Sequence, residues 1–240
     1  MTPEAFVGTS GWSYASWRPK FYPAGTKAKD FLAYYATKLR TIEINYTFNH
    51  LPTEKNVAEW TSATGDGFVF VLKASQQITH RAQLRDPATT LPLFFERARL
   101  LGHQLGPILF QTPPWVRRDD DRLAMFLAAL PRDVRCVLEV RDASWYTDAV
   151  YELLRTANVA LAHAEGEKAP SPVTTLAATA DFAYVRLRDE AGYSDEAVDA
   201  WAARLRAVLA SGKDVYAYFR HDEDGSNALA AIRLRDALAA

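Results

Sequence analysis

Charged and amide side chains recur in this sequence at every second position of short β-branched and aromatic runs, and they fall late in each run. Glu43 and Asn45 alternate with Ile42 and Ile44, Lys73 and Ser75 with Phe70 and Leu72, and Glu139 and Arg141 with Leu138 and Val140. Arg186 and Arg188 share the phase of Tyr184 against Val185 and Leu187, and Arg220 follows Tyr218 against Ala217 and Phe219. Strand side chains alternate between two faces, so in a closed barrel one set meets the surrounding helices and the other points inward. The polar set is therefore expected to face the interior, near the carboxyl ends of the strands. With Glu165 included, that set has Glu43, Glu139 and Glu165 against Lys73, Arg141, Arg186, Arg188 and Arg220, an excess of two positive charges.

Charges in a barrel mouth are costly unless paired. Guanidinium forks bind phosphate or carboxylate through directed, charge-assisted hydrogen bonds, so this balance points to a small anionic ligand. The candidate catalytic residues are Glu43, Lys73, Glu139, Arg141 and Arg186. Lys73, Arg141 and Arg186 would anchor an anion or stabilise developing negative charge, while Glu139 or Glu43 would transfer the proton. Trp12, Asn45, Gln111, His163, Tyr184, Arg188 and Arg220 are the candidate substrate-binding residues. His163 is expected to assist because it shares a face with Glu165, and its alternative role is that of a core histidine. The bland reading of the whole set is a self-neutralising ion-pair network that fixes strand register.

No HExxH or HxH spacing appears, so no metal ligand is assigned and no cofactor is expected. His50, His80 and His221 follow strands two, three and eight. A divalent metal held by ligands from separate strands stays open as an alternative. Trp12, Trp17, Trp115 and Trp145 follow strands one, four and five, where they could stack on a planar ligand group, with Tyr14 and Tyr22 supplying polar edges. The other reading of these tryptophans is a hydrophobic plug over the barrel top. Trp60 and Trp201 read as core.

The elements that must position these groups are legible as strand-helix units. Strands are expected at Ala5–Thr9, Thr41–Thr47, Phe68–Ser75, Pro107–Thr112, Cys136–Arg141, Val159–Glu165, Phe182–Arg188 and Asp214–Arg220. Helices are expected near 27–39, 53–61, 91–102, 119–130, 147–157, 194–210 and 226–238, with only a weak segment at Ser171–Thr179. Strand starts lie about 30 residues apart, the length of a βα unit, and eight units favour closure into a (β/α)₈ barrel of the α/β class. The runner-up, an open doubly wound sheet, would usually carry GxGxxG after strand one, and Gly8-Thr-Ser-Gly11 does not match it.

Composition fits one domain spanning 1–240. Hydrophobic residues make up 49% and charged residues 24%, enough apolar surface for a sizeable core. Lys and Arg number 28 against 29 Asp and Glu, so the net charge of −1 creates no overall attraction to nucleic acid or an anionic membrane. Cys136 is the only cysteine and is expected to be buried and unreactive on the helix-facing side of its strand. The opening MTPEAFVGTSGW lacks a signal-peptide pattern and no run approaches the roughly 18 apolar residues of a membrane span, so a cytoplasmic protein is expected.

The ordered motifs resemble the bacterial family catalogued as domain of unknown function 72, also called YecE-like. The resemblance rests on Gly8-Thr-Ser-Gly-Trp-Ser-Tyr14 with Trp17 and Phe21-Tyr-Pro23, Ile42-Glu-Ile-Asn45 with Phe48 and Leu51-Pro52, and Phe70-Val-Leu-Lys73 with Ile78-Thr-His80. It continues through Leu105-Gly-Pro107, Leu109-Phe-Gln111, Pro113-Pro114, Glu139-Val-Arg141, Ser144-Trp145, Tyr184-Val-Arg186-Leu187 and Tyr216-Ala-Tyr-Phe219. It implies a TIM barrel and no settled activity. Similar proteins usually carry Tyr-Arg at Asn49-His50, His at Asp142 and Arg188, and an Asn pair at Arg220-His221. These departures lie at or just beyond strand ends and imply a different ligand preference.

Three functional classes follow. The first is an enzyme acting on a small anionic substrate, such as a phosphorylated or carboxylated sugar, by general acid/base chemistry. The second is a metal-dependent phosphodiesterase or endonuclease acting on nucleic acid, which the net charge and weak metal spacing count against. The third is a noncatalytic ligand-binding barrel. Neither the oligomeric state nor a physiological partner is legible.

Overall fold

The computed structural model describes residues 2–165, 176 and 179–239. Among these residues the strands are β1 (Ala5–Thr9), β2 (Thr41–Ile44), β3 (Val69–Lys73), β4 (Leu105–Gln111), β5 (Cys136–Glu139), β6 (Ala160–Leu161), β7 (His163–Ala164), β8 (Phe182–Leu187) and β9 (Asp214–Phe219). The helices are α1 (Phe31–Ala36), α2 (Glu54–Ala63), α3 (Pro87–Thr90), α4 (Pro92–Ala98), α5 (Asp120–Ala128), α6 (Asp148–Ala157), α7 (Asp195–Ala210) and α8 (Ser226–Ala239). Local chemistry fixes several starts. Thr53 caps α2 in a reciprocal box with Asn56, and Asp119, Thr147 and Ser194 accept backbone N–H groups at the heads of α5, α6 and α7. Asn158, in the left-handed conformation at φ 53°, ends α6.

All strand pairs are parallel, in the orders β1-β9-β8-β7 and β2-β3-β4-β5-β6. The sixth expected strand, Val159–Glu165, forms as two pieces because its halves bond different neighbours. Ala162 N–H donates to the Leu138 carbonyl at 2.9 Å on the β5 side, and Glu165 N–H donates to the Arg186 carbonyl at 3.0 Å on the β8 side. β6 and β7 together are thus one stave linking the two arcs. The ring closes between β1 and β2, where Ser10 and Glu43 form a parallel bridge and Gly11 N–H donates to the Glu43 carbonyl at 3.0 Å. Lower in the same seam the buried Tyr35 hydroxyl takes the place of a ladder bond. It accepts from Thr9 N–H at 2.9 Å and donates to the Thr41 carbonyl at 3.0 Å. The fold is a (β/α)₈ barrel, as the strand count led us to expect.

The barrel has two apolar layers. Outside the strands, Ile42, Ile44, Phe70, Leu72, Leu138 and Val185 pack beneath the helices. Inside, Val71, Leu109, Val137, Phe182, Tyr184, Tyr216 and Tyr218 fill the lumen. The wall at the sixth stave is made of Ala160 and Ala162, whose small side chains leave volume for the tyrosines facing them. A packed lumen supports polar groups only at its end, and the inward positions that follow this layer are the charged ones. Strand two ends at Ile44 rather than Thr47. The chain turns there into a 3₁₀ helix at Tyr46–Phe48, and Thr47 Oγ donates to the carbonyls of Ile44 and Lys73. The Ser171–Thr179 expectation lies largely outside the described residues.

Candidate functional site

Arg186, on β8 and 3% exposed, is the centre of the barrel mouth. Its Nε and Nη2 donate to Glu43 Oε2 at 2.9 Å and Oε1 at 2.7 Å, and its Nη1 donates to Glu139 Oε2 at 2.6 Å. One planar fork therefore ties strand two to strand five through strand eight, which is the geometry that guanidinium offers and ammonium does not. Glu43 also accepts from Ser10 Oγ at 2.7 Å, Tyr184 OH at 2.7 Å and Arg188 Nη2 at 3.1 Å. Glu139 Oε1 takes the Gln111 amide at 2.6 Å and Arg141 Nε at 3.2 Å.

These contacts fix the ionisation of both acids. Burial alone would raise each carboxyl, but the guanidinium charges outweigh it. Arg186 and Arg188 hold Glu43 far below the usual carboxylate range, and Arg186, Arg141 and Arg188 hold Glu139 at about 2. Burial raises the Tyr184 hydroxyl well above its ordinary value, and Glu43 adds to the shift, so Tyr184 donates as a neutral phenol.

The other cations of the mouth are less fully compensated. Arg188 donates Nη2 to Ser10 Oγ at 2.9 Å and to Glu43, but its Nε is buried without a partner among the described residues. Lys73, partly buried at the end of β3, has no carboxylate within ion-pair distance among the described residues. Its Nζ sits 4.1 Å above the Phe48 ring. Burial first, and then the nearby Arg186 charge, lower this amine to about 8 against the opposing pull of Glu139 and Glu43. Asn45, next in the inward phase of β2, has a buried Oδ1 with no partner among the described residues. Among the described residues Lys73, Arg141, Arg186 and Arg188 thus face two carboxylates, and a buried donor and a buried acceptor are left open.

The loops extend the site. His80, in a π-helical turn at Gln77–Arg81, lies edge-on to Phe48 and near Trp115, and burial and the charges of Lys73 and Arg141 lower its pKa. On the opposite side Tyr14 stacks on His221 at 4.8 Å. Burial, followed by the charge of Arg188, lowers the His221 pKa.

The expected catalytic set, Glu43, Lys73, Glu139, Arg141 and Arg186, is brought together, with Gln111, Tyr184 and Arg188 beside it. His163 is a correction. Its ring packs 5.5 Å from Trp201 on α7, on the helix-facing side. Glu165 is a second, since it accepts from Trp201 Nε1 and the Tyr193 hydroxyl outside the lumen. The inward phase of that stave belongs to Ala160 and Ala162, and the larger odd-numbered residues point out. Arg220 reaches outward from the rim to Glu190 at 2.6 Å. Trp17 and Trp145 are buried, with their indole N–H groups donating to Asp222 and Val116 carbonyls, so they pack and do not line a ligand surface. Trp12 packs edge-on to Trp60, and Trp115 alone of the four is exposed, at 66%. Sequence reasoning overlooked Ser10 and Phe48 as site residues. Ser10 was within reach, since Phe6, Gly8 and Ser10 continue one strand phase.

A cavity of about 530 Å³ opens at the other end of the barrel, between Arg99, Leu105, Pro107, Arg135 and Tyr216. Among the described residues, no group of three or more His, Cys, Asp or Glu side chains is placed to hold a metal ion, and no helix is long and apolar enough to cross a membrane.

The arrangement of barrel and mouth can be set beside known proteins. Residues 6–240 match the family described as "Protein of unknown function DUF72". The chain belongs to this family. Over 155 residues it is 25% identical to the UPF0759 protein YunF of Bacillus subtilis (strain 168), a match covering 61% of this chain and about half (54%) of the relative. A DUF72 family crystal structure from Thermotoga maritima MSB8 superposes with a TM-score of 0.84 at 24% identity, covering 99% of this chain and 100% of the other. A second, from Enterococcus faecalis V583, gives a TM-score of 0.78 at 18% identity over 99% and 98% of the two chains. At these identities the likeness speaks to the DUF72 fold, and the chemistry of this member must be argued from its own residues.

Proposed function

We propose that this DUF72 barrel binds a small phosphate- or carboxylate-bearing substrate at the carboxyl ends of its strands and transforms it by proton transfer. One observation carries the reading. Arg186 engages both buried carboxylates, and among the described residues Lys73, Arg141 and Arg188 are left with more positive charge than the mouth neutralises. An anion seated among them would supply the missing charge and accept from the unpartnered Arg188 Nε. A network serving strand register alone gains nothing from that excess.

The division of labour differs from the one the residue types suggested. Glu43 already accepts five hydrogen bonds and Glu139 is held ionised at about 2, so neither is matched to proton transfer near neutrality. Their part is to hold Arg186 in place. Lys73, lowered to about 8, is the group matched to proton transfer near working pH, while burial and the charges of Lys73 and Arg141 lower His80 beside it. Exposed Trp115 and Tyr46 beside the mouth offer flat faces for a sugar or ring attached to the anionic group.

The test is a thermal-shift and calorimetric screen of inorganic phosphate, sugar phosphates and sugar acids against the wild type and Arg188→Ala. Saturable stabilisation of the wild type that the variant lacks supports the reading. Equal behaviour of both proteins with every anion overturns it.

A further inference from the structure

We propose that Lys73 is a covalent nucleophile, and that the substrate is an anionic carbonyl compound, an aldehyde or ketone carrying phosphate or carboxylate, captured as an imine on Nζ. The inference rests on the anion-binding reading above and narrows it to a substrate class.

The geometry distinguishes Lys73 from a simple anchoring charge. In the mouth the arginines hold the carboxylates: Arg186 bridges Glu43 and Glu139, Arg188 adds to Glu43 and Arg141 to Glu139. Among the described residues Lys73 lies between them with no carboxylate of its own, and its Nζ rests 4.1 Å above the Phe48 ring. A lysine whose task is electrostatic is best kept charged by an acid beside it. The Phe48 face favours the ammonium, but burial and the facing Arg186 and Arg141 charges oppose it, and the neutral amine they release is what adds to a carbonyl. The groups facing it are Glu43 from β2, Glu139 and Arg141 from the end of β5, Arg186 from β8, and His80 from the turn after β3, whose own pKa the lysine charge lowers. Burial, with the charges of Arg186 and Arg141 set against those of Glu139 and Glu43, lowers the amine to about 8.

The step balances without a further reactant. The neutral Nζ adds to the carbonyl carbon, and the carbinolamine loses its oxygen as water together with both amine hydrogens. The imine that remains takes a proton from solvent. Arg188 and Arg141 would hold the anionic tail, and the protonated imine withdraws electrons from an adjacent C–H or C–C bond. The reaction class is then cleavage or proton transfer next to a carbonyl.

The experiment uses pyridoxal 5′-phosphate purely as a phosphate-bearing aldehyde probe, trapped with borohydride on the intact protein and located by peptide mass mapping. Lys73 should be labelled about tenfold faster near pH 7.5 than the exposed Lys20, Lys27, Lys29, Lys38 and Lys55, which stand outside the mouth. Inorganic phosphate should slow that labelling, and pyridoxal, which lacks the phosphate, should react more slowly. Lys73→Arg, which keeps the charge, should abolish the adduct while phosphate still raises the melting temperature. Labelling scattered over the exposed lysines, with phosphate still bound in calorimetry, overturns the imine and leaves the anion site standing. Failure of both labelling and phosphate binding overturns both.

Discussion

Nη1 of Arg186 lies 2.6 Å from Oε2 of Glu139, across the barrel mouth from strand eight to strand five, while the rest of the same guanidinium grips Glu43. Both carboxylates are almost wholly buried. Arg186→Met should therefore leave two acids buried with too few partners and destabilise the protein by about 3 to 5 kcal/mol. Urea unfolding measures it. A midpoint close to the wild type would mean that water readily replaces the guanidinium.

Arg188→Ala should behave differently. Glu43 keeps Arg186, Ser10 and Tyr184 as partners, and the Arg188 side chain is 18% exposed. Stability should fall by about 1 kcal/mol or less, the scale of a partly exposed ion pair, while phosphate-dependent stabilisation disappears. A variant that is strongly destabilised but still protected by phosphate would make Arg188 a structural residue.

Acid stability follows from the carboxylates. Glu139 is lowered to about 2 from the ordinary 4.5, and Glu43 is lowered as well. A depressed folded value means the stabilisation is complete above the unfolded value and is lost as pH falls through the folded one. The contribution should be flat above about pH 5 and decline steadily below about pH 4. Unfolding free energies taken between pH 2 and 7 check this, and a decline centred near neutrality would contradict the ion-pair assignment.

His163→Leu should leave phosphate binding within about twofold of the wild type, because the imidazole faces Trp201 and not the lumen. Isothermal titration reads the outcome. A loss of binding near that of Arg188→Ala would return His163 to the site.

Cys136 is 2% exposed and burial pushes its thiol up to about 12, so a thiol reagent should label the native protein only as fast as it unfolds. Gly8→Ala tests the seam. A Cβ there would stand 2.3 Å from the Thr41 carbonyl oxygen, and destabilisation of about 1 to 3 kcal/mol is expected from thermal melts. A neutral effect would show that β1 and β2 separate without cost.

The period-two placement of Glu43, Lys73, Glu139, Arg141 and Arg186 was enough to locate the mouth, because a strand side chain has only two directions available. The same rule misplaced His163 and Glu165. Counting polar residues chose the wrong phase there, whereas Ala160 and Ala162 mark the inward side by their small size. The split of the sixth stave was not legible, since it depends on which neighbour each backbone amide meets. Nor was the pairing. Five bases and three acids could be counted, but that Arg186 would take both inward acids and leave Lys73 on Phe48 is settled by side-chain reach across the lumen.

The seam between strands one and two has a mechanical side. Glu43 fastens it by backbone bridge to Ser10 and by a carboxylate that holds the Ser10 hydroxyl, and Arg188 grips that same hydroxyl from strand eight. The joint with the sparsest backbone bonding is thus riveted by atoms that a ligand would touch. An anion that draws Arg188 toward itself pulls on the rivet. Occupancy of the mouth should accordingly register in how quickly the Gly11 amide hydrogen, bonded to the Glu43 carbonyl, exchanges with solvent.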